Sequence, residues 1–196
     1  MIRLLSPLAY HATPWKNGGG TTTEIAVHPE GAGWDDFVWR VGIADIRKSG
    51  VFSSFPGIDR SIMLLDCPAG SGMTLSVDGN NIEMIQHEFV DFAGEAASHA
   101  LLRGESARDF NVMTRRAVMN HRRGWKSIAA NESFRLGGAN TRFVYVATGE
   151  AHLVGTASAR KVSPGESLIA SGDDSLSLRG GPGGAQLVWA VFNPTA

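Results

Sequence analysis

Two arginines lie in segments that are otherwise apolar, and their positions suggest a site for an anionic ligand. Arg40 lies within FVWRVGIADI (37–46), and Arg60 follows a Pro-Gly turn in VFSSFPGIDRS. On the inner face of a strand an unpaired guanidinium is costly, so Arg40 requires an anionic partner. Glu24, Asp59 or the carboxylate of a ligand could supply it.

Asp109 and Asn111 flank an aromatic residue in the segment DFNVM, so strand alternation directs both side chains to one face. An acid and an amide beside arginines can bind a carboxylate or amide group. A structural explanation is also open for these residues. The arginines could only neutralise nearby acids, and asparagines often satisfy backbone groups at turns or strand ends.

The stretch WKNGGGTTTEI (15–25) places three glycines between polar residues. It is not a phosphate-binding loop, because the lysine and the following helix of that motif are missing. A flexible tether is also excluded, since apolar Trp15 and Ile25 anchor its ends. The stretch therefore predicts a tight turn that brings Asn17 and backbone amides to the mouth of a barrel. The threonines, beginning with Thr21, then start a strand whose Glu24 faces the enclosed space.

Short segments rich in Val, Ile and Phe recur along the chain, and Gly, Asp or Pro often bounds them. Such spacing predicts many short strands and an all-β sandwich or barrel, with at most a turn or two of helix. The predicted strands are 37–46, 61–66, 73–77, 88–92, 109–113, 142–148, 167–170, 175–179 and 186–192.

The order of these segments hints at a duplication. A strand, a tight turn and a further strand in GMTLSVDGN and EFVDFAGE resemble the arrangement of VYVATGEAHLVG and RKVSPGESLIA in the second half. Two fused small β-barrels would account for the length of 196 residues. The join is expected near 115–126, and without a low-complexity linker the halves should pack as one unit.

The composition excludes several classes of function. The net charge is -1, so a nucleic-acid-binding or membrane-surface protein is not expected. No apolar run approaches the roughly 20 residues that span a bilayer, and the N-terminus does not read as a secretory signal. Cys67 is the single cysteine, which excludes an intramolecular disulfide framework and fits a cytoplasmic protein.

Motifs for metal and nucleophilic chemistry are missing from the sequence. The six histidines are far apart, and no pair one residue apart lies on a predicted strand, as a metal-binding double barrel would require. There is no GxSxG and no HExxH motif. We therefore expect neither a metal nor a cofactor.

Five ordered motifs, WKNGGGTTTEI, WRVGIADI, GVFSSFPGIDRSIMLL, FVDFAGE and RDFNVMTRR, resemble the HutD/Ves family over about residues 2–116. The resemblance implies a bicupin, in which two RmlC-like jelly-roll cupin barrels form one compact unit. The N-terminal cupin would span about 1–116 and the C-terminal cupin about 117–196. One departure is Ala44, where relatives more often carry a serine. The motif positions that carry over are Trp15, Asn17, Gly18, Gly19, Thr21, Glu24, Arg40, Phe52, Ser53, Gly57, Arg60, Asp109 and Asn111.

The resemblance also implies an accessory or regulatory role in bacterial histidine utilisation. The expected ligand is a small carboxylate such as urocanate, formylglutamate or formiminoglutamate. Combined with the residues above, this gives a candidate ligand-binding set of Asn17, Thr21, Glu24, Arg40, Arg60, Asp109 and Asn111.

Two other classes of function are open. The first is a metal-free cupin isomerase or hydrolase that uses Glu24 or Asp109 as a general base. Such a base needs a raised pKa, and the nearby arginines are expected to lower it, which argues against this class. The second is an interaction protein that acts as a homodimer through exposed strand edges.

Overall fold

The chain is built from β-strands, as the sequence predicts. The computed structural model describes residues 1–155, 160–172 and 175–195. Within these ranges there is one 3-10 turn, Pro7–Ala9, and no helix that is long and apolar enough to cross a membrane. The strands are β1 (Ile2–Leu5), β2 (His11–Pro14), β3 (Gly20–His28), β4 (Trp39–Ile46), β5 (Gly50–Val51), β6 (Ile58–Asp66), β7 (Gly72–Val77), β8 (Asn80–Glu83), β9 (Phe89–Ala93), β10 (Ser98–Arg103), β11 (Ala107–Arg115), β12 (Met119–Ile128), β13 (Ser133–Leu136), β14 (Thr141–Val154), β15 (Arg160–Val162), β16 (Ser167–Ser171) and β17 (Leu176–Pro194).

The strands form two compact units. One unit is Tyr10–Asn120 with Thr195, and the other combines Met1–Ala9 with His121–Pro194. The sequence analysis grouped the first residues with the N-terminal cupin, whereas β1 pairs with β16 of the C-terminal unit. The two strands predicted at 175–179 and 186–192 form the single long strand β17.

The C-terminal unit is organised around one seven-stranded sheet. Its strands follow the order β1-β16-β14-β17-β12, with β13 paired to β17 and β15 paired to β14. The long strands β14 and β17 pair antiparallel along most of their length. Their alternating apolar residues, among them Val144, Val146, Leu176 and Leu187, contribute to the core of this unit.

The N-terminal unit is a sandwich of two antiparallel sheets. A six-stranded sheet has the order β2-β3-β4-β11-β6-β9, and a four-stranded sheet has the order β5-β10-β7-β8. Ile62 and Leu64 of the large sheet share one core cluster with Met73, Leu75 and Ala100 of the small sheet. The apolar face of each sheet therefore covers that of the other, which removes both from water.

Strand β11 lies in the middle of the large sheet, between β4 and β6. Met113 lies opposite Arg40 on one side and opposite Arg60 on the other. Asn111 and Asp109 follow at two-residue steps along β11. Because paired residues and residues two apart point to the same side, all five side chains share one face of the sheet.

This shared face is the inner face of the sandwich. Ala44 and Leu64 lie directly opposite Asp109, and both belong to the core cluster that includes Met73 and Leu75 of the small sheet. The side chain of Asp109 therefore points toward the interior between the sheets.

Strand β3 contributes a further acid to this face, because Glu24 lies opposite Gly42 of β4. The register shifts between Glu24 and Ala26, so Glu24 lies opposite Gly42 and Val27 lies opposite Arg40. Without the extra residue the strand would present the opposite parity beyond this point. Glu24 therefore lies on the inner face in the row of Gly42 and Asn111, next to the row of the two arginines.

The glycine-rich stretch is the tight turn between β2 and β3. The Trp15 amide donates to the Gly20 carbonyl at 2.9 Å, and the Gly18 amide donates to the Trp15 carbonyl at 3.0 Å. Gly18 has a φ of +66°, which is unfavourable for residues with a Cβ. An ideal Cβ on Gly20 would lie 2.4 Å from the carbonyl oxygen of Asp45, so the close approach of β3 and β4 requires glycine there.

We expect Gly20→Ala to lower the free energy of unfolding by about 1–3 kcal/mol, since the methyl group must displace backbone of β4. Gly33→Ala is the matched control, because a Cβ there meets nothing within 4 Å and the φ of Gly33 is not positive. Urea unfolding of both variants measures the difference. Equal stabilities of the two variants would contradict the close-approach explanation.

Candidate functional site

Arg60 is buried on β6 with two of its donors unsatisfied. Its side chain is enclosed by aromatic rings, with the guanidinium carbon 5.3 Å, 5.5 Å and 5.0 Å from the ring centroids of Phe52, Phe55 and Phe92. The rings attract the cation but do not accept directional hydrogen bonds from every N–H. Neither Nε nor Nη1 has a hydrogen-bond partner among the described residues. A buried donor in this condition is costly, and a ligand oxygen would relieve that cost.

Asp109 on β11 is a buried acceptor whose oxygens, like the Arg60 donors, lack hydrogen-bond partners among the described residues. Its relative exposure is 1%, and neither carboxylate oxygen accepts a hydrogen bond of standard geometry in the described parts of the chain. Arg60 acts on Asp109 electrostatically, yet no hydrogen bond joins the two side chains. A buried acid and a buried base therefore face the same interior without satisfying each other.

Burial dominates the ionisation of both groups. Removal from water raises the pKa of Asp109 to about 7, and the positive charge of Arg60 and the Ala44 amide only partly offset this. Burial also lowers the pKa of Arg60 to about 10, with partial compensation by Asp109. Arg60 thus lowers the pKa of Asp109 as expected, but the net shift is upward because desolvation outweighs the attraction of Arg60.

Arg40 forms an ion pair within the protein. Of the three partners that the sequence left open, Glu24 forms a direct ion pair with Arg40, whereas Asp59 pairs with Arg116 at 2.6 Å. The Arg40 guanidinium also lies 3.8 Å from the centroid of the Trp34 ring. Burial lowers the pKa of Arg40, and Glu24 opposes this shift.

The ion pair does not satisfy Arg40 completely. Its Nη2 atom forms the ion pair with Glu24 and donates a hydrogen bond to the carbonyl of Ala32 at 3.4 Å. The Nε and Nη1 atoms are buried and have no hydrogen-bond partner within the described ranges. Arg40 therefore keeps donors for a second acceptor.

Asn111 lies between the two arginines along the sheet. It follows Asp109 on the inner face, and its Oδ1 atom is buried without a hydrogen-bond partner in the part of the chain that the structure describes. We refer to Glu24, Arg40, Arg60, Asp109 and Asn111 as the inner-face polar cluster. The cluster combines two cations, two acids and one amide.

Strand β4 leaves room beside this cluster. After Arg40 the next two inner-face residues of β4 are the small Gly42 and Ala44, opposite Asn111 and Asp109 respectively, and Ile46 follows them. A Cβ on Gly42 would lie 3.0 Å from the carbonyl oxygen of Thr23, so a larger residue there would crowd β3. The polar atoms of β3 and β11 are therefore separated by small residues of β4 at these two positions.

Two of the seven predicted site residues lie elsewhere. Asn17 is exposed, and its Oδ1 accepts the amide of Gly19 at 2.9 Å, which is the turn-stabilising role of asparagine. Thr21 lies opposite Asp45, whereas Thr22 lies opposite Ala44 and thus points to the inner face. The structure brings the other five predicted residues together on that face.

The sequence did not single out all of the residues that surround the cluster. Trp34 contacts Arg40, and Phe52, Phe55 and Phe92 contact Arg60. Alternation along FVDFAGE placed Phe92 on one face of a strand, but only the pairing of β9 with β6 brings it to Arg60. Trp34 lies outside any strand, and no sequence pattern marks it.

Within the described residues no three His, Cys, Asp or Glu side chains come together as a metal-binding group. The arrangement is instead suited to hydrogen bonding with an anion. Two partly unsatisfied guanidiniums offer N–H donors, and Asp109 and Asn111 offer oxygens beside them.

The HutD family model matches residues 8–188 of the sequence. The chain belongs to the HutD/Ves family. It is 42% identical over 113 residues to an uncharacterised 21.2 kDa protein in the hutC 3′ region of Pseudomonas putida, and this match spans 57% of each protein. It is also 36% identical over 136 residues to protein Ves of Citrobacter koseri, covering 69% of this chain and 67% of Ves. The resemblance stated from the motifs is confirmed.

Solved structures confirm the fold class. HutD from Pseudomonas fluorescens SBW25 superimposes over the full length of both chains with a TM-score of 0.81 at 28% identity. A cupin 2 conserved barrel domain protein from Leptotrichia buccalis covers 87% of each chain with a TM-score of 0.57 at 10% identity. The second likeness shows the fold alone, and it supports the predicted cupin architecture.

The ionisation of Asp109 makes the free energy of unfolding depend on pH. Its folded pKa of about 7 lies above the ordinary pKa of 3.8 for an aspartic acid, so the favourable contribution is complete below pH 4 and is lost as pH rises toward 7. In Asp109→Asn this term is absent. We expect the free energy of unfolding of Asp109→Asn minus that of the wild type to increase by on the order of 4 kcal/mol between pH 4 and 7, and to level off above pH 7.

Urea unfolding at half-unit pH steps measures this difference. Asp45→Asn serves as the matched control, because Asp45 is a partly exposed acid on the same sheet that pairs with Arg47. A flat difference between Asp109→Asn and the wild type would show that Asp109 ionises normally in the folded protein.

Proposed function

We propose that this protein is a metal-independent small-molecule-binding cupin whose inner-face polar cluster holds a small carboxylate related to histidine degradation. The observation that carries the proposal is Arg60, which is 5% exposed and keeps Nε and Nη1 without a hydrogen-bond partner among the described residues. A guanidinium binds a planar carboxylate through two parallel hydrogen bonds, and hydrogen bonds to charged groups contribute about 1.5–3 kcal/mol each.

The spacing of the two arginines bears on the shape of the ligand. Arg40 and Arg60 lie in the same row of the sheet with one strand between them, so their backbones are about 10 Å apart. Long side chains that reach inward from this distance could bind both ends of a short dicarboxylate. Asn111 and Asp109 lie between the two arginines, where they could form hydrogen bonds with an amide, formimino or imidazole group of the ligand.

The comparisons support a ligand from histidine degradation. A relative is encoded in the hutC 3′ region, and HutD itself is a structural neighbour over the whole chain. Urocanate offers one carboxylate and an imidazole, whereas formylglutamate and formiminoglutamate offer two carboxylates and one polar nitrogen group. Binding of such an intermediate in the cytoplasm, without turnover, would suit an accessory or regulatory role.

We expect at least one of these three compounds to bind the purified protein and Arg60→Lys to bind it about 10- to 100-fold more weakly, equivalent to about 1.4–2.8 kcal/mol. Lysine retains the charge but loses the planar fork of donors. Isothermal titration calorimetry measures both affinities. Arg47→Lys, an exposed arginine of the same sheet region, is the matched control and should bind as the wild type does.

The same titrations separate the candidate ligands. If the dicarboxylates bind and urocanate does not, both arginines are engaged, and Arg40→Lys should weaken binding as Arg60→Lys does. If only urocanate binds, Arg60 is expected to dominate. Absence of heat from all three compounds would contradict the proposal.

A metal-free enzyme is the second candidate, and the pKa of Asp109 favours it. An acid with a pKa of about 7 can accept or donate a proton near neutral pH, as general acid–base catalysis requires. Arg60 would hold the carboxylate of the substrate beside it. Conversion of any of the three compounds that is abolished in Asp109→Asn, while binding persists, would establish the enzyme; unchanged ligand after prolonged incubation would favour the binding protein.

A further inference from the structure

The interior around Asp109 provides one nearby positive charge, and its other polar groups include the uncharged side chains of Asn111 on β11 and Ser98 on β10. Arg60 of β6 is the charged group that acts on the Asp109 carboxyl. On β4 the neighbour is Ala44, and on β3 beyond it Thr22 occupies the same row. Leu64 of β6 completes the row on the other side.

The facing sheet adds no described charge to this interior. Its contribution to the core cluster consists of apolar side chains, including Met73 and Leu75 of β7, Ala100 of β10 and, after β8, Met84. The other charges of the inner face are Glu24 and Arg40, and these pair with each other. Asp109 and Arg60 are therefore the charges whose balance a ligand at Arg60 would alter.

A carboxylate bound to Arg60 would place two acids beside a single buried guanidinium. Like charges that share a desolvated site do not both remain ionised, and the pKa of one of them rises strongly. The ligand carboxylate gains two charge-assisted hydrogen bonds from Arg60, whereas Asp109 has no hydrogen bond of standard geometry to lose in the described structure. Of the two acids, Asp109 is therefore the one that is protonated in the complex, and the ligand carboxylate stays ionised.

We propose that the inner-face polar cluster takes up its carboxylate ligand together with one proton, which resides on Asp109. The step is a protonation only: solvent or buffer supplies H⁺, the Asp109 carboxylate becomes a carboxylic acid, and its O–H donates to an oxygen of the ligand. This inference rests on the proposed function. It adds that the carboxylate held by Arg60 enters the site without an increase in buried net negative charge around Arg60.

The coupling makes affinity depend on pH in a defined direction. Free Asp109 is half ionised near pH 7, so binding at higher pH must draw a proton from solution. The dissociation constant should be nearly constant below about pH 6 and should increase about tenfold per pH unit above about pH 7.5. Proton uptake per ligand should be about 1 at pH 8.5 and close to zero at pH 5.5.

Calorimetric titration with formylglutamate tests the inference, because both of its carboxyl groups are ionised and its formyl amide does not titrate across this range. At each pH the binding heat is measured in buffers that differ in ionisation enthalpy, and the slope gives the number of protons taken up. Asp109→Asn retains the shape of a neutral acid. It should show no uptake, and its affinity should be independent of pH.

Asp45→Asn is the control and should retain the uptake of the wild type. Binding to the wild type without uptake at pH 8.5, or uptake that persists in Asp109→Asn, would overturn the coupling and leave the proposed function intact. Absence of formylglutamate binding by the wild type at every pH would overturn the coupling, and titration with urocanate would then decide the proposed function separately. If Asp109→Asn does not fold, infrared difference spectra of the wild type at pH 8.5 replace it: a protonated-carboxyl band should appear on ligand addition, and its absence would refute the coupling.

Discussion

The N-terminal unit depends on one constraint: a buried acid and a buried guanidinium face the same interior without a hydrogen bond between them. Asp109 and Arg60 are almost completely removed from water, and each keeps polar atoms without partners among the described residues. Desolvation of both charges opposes folding, so the rest of the sandwich must offset it. The apolar cluster between the two sheets provides this compensation, since it removes large side chains from both sheets from water.

The sheet topology maintains the separation of these charges. Asp109 and Arg60 come from adjacent strands but lie in different rows, because Arg60 is level with Met113 and Asp109 is level with Leu64. Three aromatic rings hold the Arg60 guanidinium in place. An arginine on a flexible surface would close such a gap by changing its rotamer, whereas an arginine enclosed by rings loses those contacts when it moves. The unsatisfied donors are thus a consequence of rigid packing around Arg60.

Much of the fold follows from the sequence, because short apolar segments with alternating polarity and glycine-bounded ends form strands. The inner-face residues on one strand, such as Asp109 and Asn111, also follow from alternation. The pairing of neighbouring strands does not follow from the sequence. Strand β11 lies between β4 and β6, although long stretches of chain separate it from both. For the same reason, the contact of Arg60 with Phe92 could not be predicted from the sequence.

Local irregularities limited the prediction of the site. Thr21 and Glu24 are three residues apart, so in a regular strand they point to opposite faces, and the bulge in β3 comes after Glu24. Asn17 has the residue type of a ligand contact, but the adjacent glycine turn uses its side-chain oxygen. The pKa of Asp109 was misjudged because charge neighbours are visible in a sequence, whereas the depth of burial is a property of the packed sheets.

The two arginines illustrate how the same residue type acquires different roles from its neighbours. Arg40 is compensated in charge by Glu24 of the neighbouring strand β3, so its remaining donors can bind a ligand without a change in the net charge of the pair. Arg60 interacts with the charge of Asp109 without a hydrogen bond to it, and the ionisation of that acid is itself near balance at neutral pH. A ligand at Arg60 therefore competes with Asp109 for the same positive charge. Protonation of Asp109 ends that competition, because the neutral acid no longer needs the guanidinium and can donate to the ligand instead.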